Sequence, residues 1–218
     1  MTAVAFIPAR GGSTRIPRKN LAVIGGSTLV VRAIWSAWAA SCDRVVVSTD
    51  DDEIARLAKR YRCETERTFP HSATTQIEEA IAHWLPADLP DDTVIALLQP
   101  TSPYRRPETV RQCIALAREH GCSVSVAPTP DAYFAGMLTD GEFSPRHSVQ
   151  TRPRSQDLAD WHTPDGSCWA FTARHFRATG NRTSRRARGV VTGWPECWQI
   201  DTPEDLEIAR LLGPMEER

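Results

Sequence analysis

The residues best suited to chemistry lie in one early segment, Pro8-Ala9-Arg10-Gly11-Gly12-Ser13-Thr14-Arg15-Ile16-Pro17-Arg18-Lys19-Asn20. Two adjacent glycines let a main chain come close to a bulky anion and turn its N–H groups toward it. Arg10, Arg15, Arg18 and Lys19 offset several negative charges. A triphosphate is a ligand of that description. The spacing is neither GxGxxG nor GxxxxGK[ST], so the dinucleotide and P-loop readings fail. A Gly- and Arg-rich turn is also a common solvated loop. What favours binding is its place directly after the apolar run Ala3 to Ile7, because α/β sheets hold ligands at the carboxyl ends of their strands.

Two further segments could contribute. Gln99, Thr101 and Ser102 follow an apolar run, Val94 to Leu98, in a turn that Pro100 and Pro103 dictate. Asp201 stands before a helix expected from Pro203, where an N-cap is the ordinary role. Of the 26 basic residues only Lys19 and Lys59 are lysines. The arginine-rich stretch Arg174, Arg177, Arg182, Arg185, Arg186 and Arg188 is either a solvated surface or, turned inward, a bidentate partner for an anionic acceptor. The six histidines have no metal-ligand or triad spacing. The six cysteines form no CxxC pair, which fits buried, reduced thiols.

Positioning these groups requires a scaffold, and the hydrophobic pattern supplies one. Strands are expected at Ala3 to Ile7, Val45 to Val47, Val94 to Leu98, Ser123 to Val126, Ser167 to Phe171 and Val190 to Trp198. Helices are expected after Ser27, within DDEIARLAKRY, and at Gln76 to Trp84, Glu108 to His120 and Pro203 to Leu212. Such alternation indicates βαβ crossovers and a largely parallel sheet. The rhythm breaks at Pro128. Asp131 to Asp165 reads as an excursion, with Asp140-Gly141 as a hairpin turn. It suits a lid or a dimerisation arm whose Tyr133, Phe134, Met137 and Leu138 need a partner. The chain of 218 residues is expected to be a single domain, 1–218, with that inserted arm. A net charge of -1 and 41% hydrophobic residues exclude collagen-like, low-complexity and strongly basic classes. The charge also argues against a nucleic-acid-binding module. No apolar run is long enough to span a bilayer, and no basic segment precedes the first apolar one, so the expectation is a cytoplasmic protein without membrane or nucleic-acid partners.

Four segments carry a resemblance: IPARGGSTRIPRKNL at the N-terminus, STDDDEIA at Ser48 to Ala55, LLQPTSPYR at Leu97 to Arg105 and IDTPEDLEIA at Ile200 to Ala209. RSQDLADWHTPDGSCWAF, at Arg154 to Phe171, is a looser fifth. In this order they resemble the acylneuraminate cytidylyltransferase family, with its branch acting on phosphonates. The resemblance implies a Rossmann-like three-layer α/β/α nucleotidyltransferase fold and a homodimer built through a protruding arm. It implies CMP transfer from CTP, with Mg2+ or Mn2+, to a small anionic acceptor, either a nonulosonic acid or a phosphonate such as phosphonoformate. Carried over by residue, it implies nucleotide binding by Ala9, Arg10, Gly11, Gly12, Ser13, Arg15, Lys19, Asn20 and Arg67, and catalysis by Arg10, Lys19 and Asp201. Gln99, Thr101, Ser102, Arg154 and Gln156 fall to the acceptor, and Asp201 to the metal. One departure stands out: the family's Asp-Ile-Asp-Thr is Gln199-Ile200-Asp201-Thr202 here, so one of two carboxylates that share a strand face is an amide. A phosphonate, already ionised near neutral pH, needs no base and tolerates that loss.

Overall fold

The computed structural model describes residues 2–67, 76–129, 135–146, 150, 154 and 160–213. A seven-stranded sheet runs through the molecule in the order β11-β7-β10-β6-β1-β4-β5. Its strands are β1 (Ala3–Pro8), β4 (Arg44–Ser48), β5 (Glu64–Glu66), β6 (Val94–Leu97), β7 (Cys122–Pro128), β10 (His162–Thr172) and β11 (Arg188–Val191). β10 alone among them runs antiparallel to its neighbours β6 and β7; the remaining pairings are parallel.

Alternation along each strand divides the core into two layers. Ala3, Ala5, Ile7, Val45 and Val47 pack under α1 (Leu29–Ala39), α2 (Asp52–Arg60) and α4 (Pro107–His120). Val4, Phe6, Val46, Ile95 and Leu97 face the other way, onto α3 (Ile77–Trp84) and α5 (Ala173–Thr179). Side chains two apart share a sheet face, so a β-rich run buried on both sides yields the three-layer sandwich expected. A third apolar cluster joins Ile16 of the first loop and Tyr104 to Leu206 and Ala209 of α6 (Pro203–Leu212).

The helices begin where local chemistry allows. Asp51 caps α2, its Oδ1 accepting from the N–H groups of Glu53 and Ile54. α1 is capped by Thr28 rather than Ser27. Ser27 is instead paired in a short ribbon of β2 (Val23–Ile24) with β3 (Ser27–Thr28).

Three expectations need correction. The segment between Thr172 and Arg188, read as a basic loop, contains α5, capped by Thr172 and stopped by Gly180 in the left-handed region. The last strand ends at Val191 rather than reaching Trp198, because Gly193 and Pro195 bring a turn in which Cys197 N–H bonds Gly193 O. The excursion ends sooner than Asp165, since His162, Thr163 and Pro164 pair with Pro128, Ala127 and Val126 of β7. Pro164 is tolerated there because the β6 pairing starts only at Trp169, so its missing N–H faces no ladder. Within the arm, β8 (Gly136–Thr139) and β9 (Glu142–Pro145) form the expected hairpin, turning through Asp140 and Gly141, both at positive φ. Tyr133 and Phe134 lie outside the described residues. No described helix is long and apolar enough to cross a membrane.

Candidate active site

β1, β4 and β6 are parallel, so their carboxyl ends lie along one edge of the sheet. The chain leaves β1 for β4 on one side and later adds β6 on the other, which makes a topological switch point between β1 and β6. A cleft of about 440 Å³ opens there, lined by Arg10, Ser13, Arg15, Lys19, Asn20, Gln99, Thr101, Gln199 and Asp201 among others.

The first loop is held from both sides. Ala9 N–H donates to Ser48 O at 2.8 Å and Gly11 N–H to Asp50 Oδ1 at 2.7 Å, so the tip of β4 grips the glycine turn. Gly11 is required by that approach, because a Cβ would stand 2.8 Å from Asp51 Cβ. Asn20, itself buried, returns its amide to Arg10 O at 2.9 Å. Arg18, in the left-handed region, turns away to pair with Glu53 at 2.7 Å. Buried Ile16 anchors the far end of the loop against α6.

Lys19 is the centre of the arrangement. Its Nζ donates to Ile200 O at 2.9 Å and lies 3.4 Å from Asp201 Oδ1, while Ile200 N–H bonds Thr101 O at 2.9 Å. The three segments singled out by sequence therefore meet through one lysine. Burial pulls the Lys19 pKa below the usual lysine value of 10.5, against the opposing pull of Asp201. Arg15 approaches the same carboxylate oxygen at 3.9 Å.

The competing role for Asp201 is resolved by its neighbours. Thr202 caps α6, accepting from Asp205 N–H, and the Asp205 carboxylate accepts from the N–H groups of Thr202 at 2.8 Å and Asp201 at 2.9 Å. Burial pushes the Asp205 pKa up, but those bonds outweigh it and hold the group below the ordinary value. The capping box leaves the Asp201 side chain for the cleft, where it is the one carboxylate among the described lining residues. No cluster of three or more His, Cys, Asp or Glu residues fit to hold a metal occurs among the described residues.

Several expected residues take other places. Arg67 bonds Asp52 Oδ1 at 2.7 Å and Asp50 O at 3.3 Å, in the turn before α2 and outside the cleft lining. Ala9 is fully buried, and neither Gly11 nor Gly12 lines the cleft. Ser102 is also buried behind the wall, its N–H on Gln99 O at 3.2 Å, so it shapes the turn rather than the pocket. Arg154 is exposed and away from the lining, and Gln156 lies outside the described residues. Of the arginine-rich stretch, Arg177 and Arg174 pair with Asp91, and Arg182 pairs with Glu78 at 2.6 Å while covering the Trp169 ring.

Sequence reasoning missed Arg105 and Asp165. Arg105 is buried beneath the cleft, its guanidinium donating to Gln99 O at 2.5 Å and to Ser167 O, and burial pulls its pKa down to about 10. The signal was available, since Arg105 ends LLQPTSPYR and Asp165 opens the DGS of the fifth segment.

The family model described as Cytidylyltransferase matches residues 4–132. The chain is 37% identical over 137 residues to CMP-N,N'-diacetyllegionaminic acid synthase of Legionella pneumophila, covering 59% of each chain. It is also 37% identical over 114 residues to 3-deoxy-manno-octulosonate cytidylyltransferase of Sodalis glossinidius, covering 51% of this chain and 44% of that one. The matched regions thus span about half the length of these curated relatives. Among solved structures, CMP:2-keto-3-deoxy-manno-octonic acid synthetase complexed with CTP superposes with a TM-score of 0.69 at 20% identity, covering 97% of this chain and 98% of that one. A 4-diphosphocytidyl-2C-methyl-D-erythritol synthase gives 0.71 at 15% identity, covering 97% of each. These structures share the Rossmann-like fold, and with the family model matching more than half of its length, the chain belongs to the cytidylyltransferase family.

Proposed function

We propose that this protein transfers CMP from CTP to an acidic sugar, releasing pyrophosphate. The observation that carries the reading is the convergence of Lys19, Arg10 and Arg15 beside Asp201 in one cleft at the β1/β6 switch point. The cations bind and orient the triphosphate. An oxygen of the acceptor forms a bond to the α-phosphorus of CTP as a sugar hydroxyl gives up its proton to solvent water, and the bond from that phosphorus to the oxygen bridging the β-phosphate breaks, its electron pair leaving with pyrophosphate. Lys19 and Arg15 balance the charge that builds during this exchange. The names of the relatives, a legionaminic acid synthase and an octulosonate cytidylyltransferase, support an acidic sugar as acceptor.

A divalent ion, Mg2+ or Mn2+, fits the cleft because α6 does not consume the Asp201 carboxylate, which remains 47% exposed. Asp201 would hold it together with phosphate oxygens and water, and the ion would neutralise charge on the phosphates. The exposed Met137, Leu138 and Phe143 of the β8–β9 hairpin support a homodimer through the arm.

Gln199 supports a second acceptor class. With an amide where a second carboxylate is usual, the cleft offers little to deprotonate a sugar hydroxyl, and a phosphonate brings an oxygen that is already ionised. The deciding experiment measures pyrophosphate release from CTP and Mg2+ with sialic, legionaminic, pseudaminic and 3-deoxy-manno-octulosonic acids and phosphonoformate in separate arms. Turnover with a sugar acid is expected; turnover with phosphonoformate alone selects the second class. Silence in every arm refutes the proposal.

A further inference from the structure

Gln99 and Gln199 come from different segments, yet both lean on one glycine. The pairing of β10 with β7 slips register between Pro164 and Trp169, and Asp165, Gly166 and Ser167 occupy the irregularity. Asp165 is buried, and its carboxylate is spent inward: Oδ1 accepts from Ser125 Oγ and from Ser167 N–H at 2.9 Å, and Oδ2 accepts from Thr192 Oγ1. Its main-chain carbonyl accepts from Gln199 Nε2. On the other flank, Ser167 O and Gln99 O both accept from the guanidinium of buried Arg105. The irregularity is thus pinned from both ends, and the two glutamines are tied to those pins.

Gly166 lies between them with φ +73°. A Cβ there would meet Gln199 Cδ at 2.7 Å and Gln99 Oε1 at 2.9 Å, and would overlap Gln199 Nε2. Any side chain would have to displace both amides from the cleft wall. We propose that Gly166 is a specificity-determining position: by having no side chain, it lets Gln99 and Gln199 lie together as a neutral amide pair that receives the oxygen-rich, anionic acceptor. With Nε2 committed to Asp165 O, Gln199 retains Oε1 for an acceptor hydroxyl. Two amides also approach an anion without the repulsion that carboxylates would add. The inference rests on the proposed function. It assigns the acceptor wall to this pair and leaves CTP to the first loop.

The test compares Gly166→Ala, Gln199→Ala and their combination, with Gly180→Ala as control. Gly180 has a similar φ of +64°, but a Cβ there meets nothing within 4 Å, so it carries the backbone cost without the collision. Gly166→Ala is expected to raise the acceptor KM roughly tenfold to a hundredfold, since small misplacements in a site cost that much. The CTP dissociation constant should stay unchanged, and Gly180→Ala should match the unmodified protein. Because Gln199→Ala removes the two closest collisions and leaves only the flexible end of Gln99, adding Gly166→Ala to it should change the KM far less than Gly166→Ala does alone. Additive effects, or a CTP affinity that falls in step with the acceptor KM, would overturn the inference while leaving the proposed function standing. Should Gly166→Ala fail to fold, the double variant is expected to be recovered; its failure too would overturn the inference. An unmodified protein silent toward every acceptor removes both.

Discussion

Replacing Lys19 by Ala separates its structural bond from the phosphate contact that the proposed function assigns to it. Its Nζ bonds Ile200 O at 2.9 Å and sits 3.4 Å from Asp201 Oδ1, with 14% of the side chain exposed. The bond to Ile200 O is structural, and losing it costs about 1 kcal/mol of stability. The ion pair adds little, since Asp201 is 47% exposed and an ion pair open to water is screened. The contact with a CTP phosphate is charge-assisted and worth about 1.5–3 kcal/mol. At about 1.4 kcal/mol per tenfold, CTP affinity should therefore fall by about ten- to a hundredfold. Isothermal titration of CTP into the variant, alongside urea unfolding, reads the two losses separately. Lys19→Met, which keeps the apolar stem, should lose CTP affinity to a similar degree. CTP affinity within twofold of the unmodified protein in both variants would show that Lys19 does not hold a phosphate.

Asp201→Ala should depress turnover far more than CTP affinity, because a carboxylate that acts on developing charge contributes mostly in the transition state. Its unfolding free energy should stay within about 0.5 kcal/mol of the parent, since Thr202 and Asp205 cap α6; a larger drop would return Asp201 to a structural role. CTP affinity measured against pH should decline as Lys19 deprotonates, beginning below the 10.5 of an ordinary lysine because burial lowers its pKa. The sign for stability is the reverse: a lysine with a lowered folded-state pKa costs stability at neutral pH, and that cost is relieved as pH rises through the folded-state value. A decline in affinity only above pH 10.5 would contradict the burial of Nζ. Leu138→Asp in the exposed hairpin should halve the mass seen by light scattering at micromolar concentration; an unchanged mass would remove the hairpin from the interface.

What the sequence carried best was whatever depends on local periodicity. Ala3 to Ile7 and Val45 to Val47 announce buried strands because both their faces are covered, and DDEIARLAKRY announces α2 because its acids stand in the first turn and its bases in the last. β5, with the sequence Glu64-Thr65-Glu66, was invisible: an edge strand of polar residues lacks an apolar pattern, and only pairing with β4 makes it a strand. The direction of β10 was equally hidden, since parallel and antiparallel strands share a period of two. In the site, Lys19 and Asp201 could be named from their segments, but not their meeting, which spans most of the chain. The placement of Arg67 was also hidden, since its bonds to the Asp52 carboxylate and to Asp50 O depend on the turn before α2 coming close in space.

The charge of the cleft connects the remaining parts. Among the described lining residues, Arg10, Arg15 and Lys19 stand against Asp201 alone. That surplus of two positive charges falls short of a triphosphate, which carries roughly four negative charges once its terminal phosphate has ionised near pH 6. On the proposed function a divalent cation would make up the difference, and Asp201 would anchor it, since the helix cap leaves its carboxylate alone and Lys19 and Arg15 both approach Oδ1. Thr202 and Asp205 complete the capping box, and Arg18 and Arg67 pair with Glu53 and Asp52. The acidic turn before α2 therefore sets the balance of the site without touching it: it grips Gly11 through Asp50 and holds two guanidinium groups outside. On the same reading, neutral Gln199 would spare an acidic acceptor the repulsion that a second carboxylate would add.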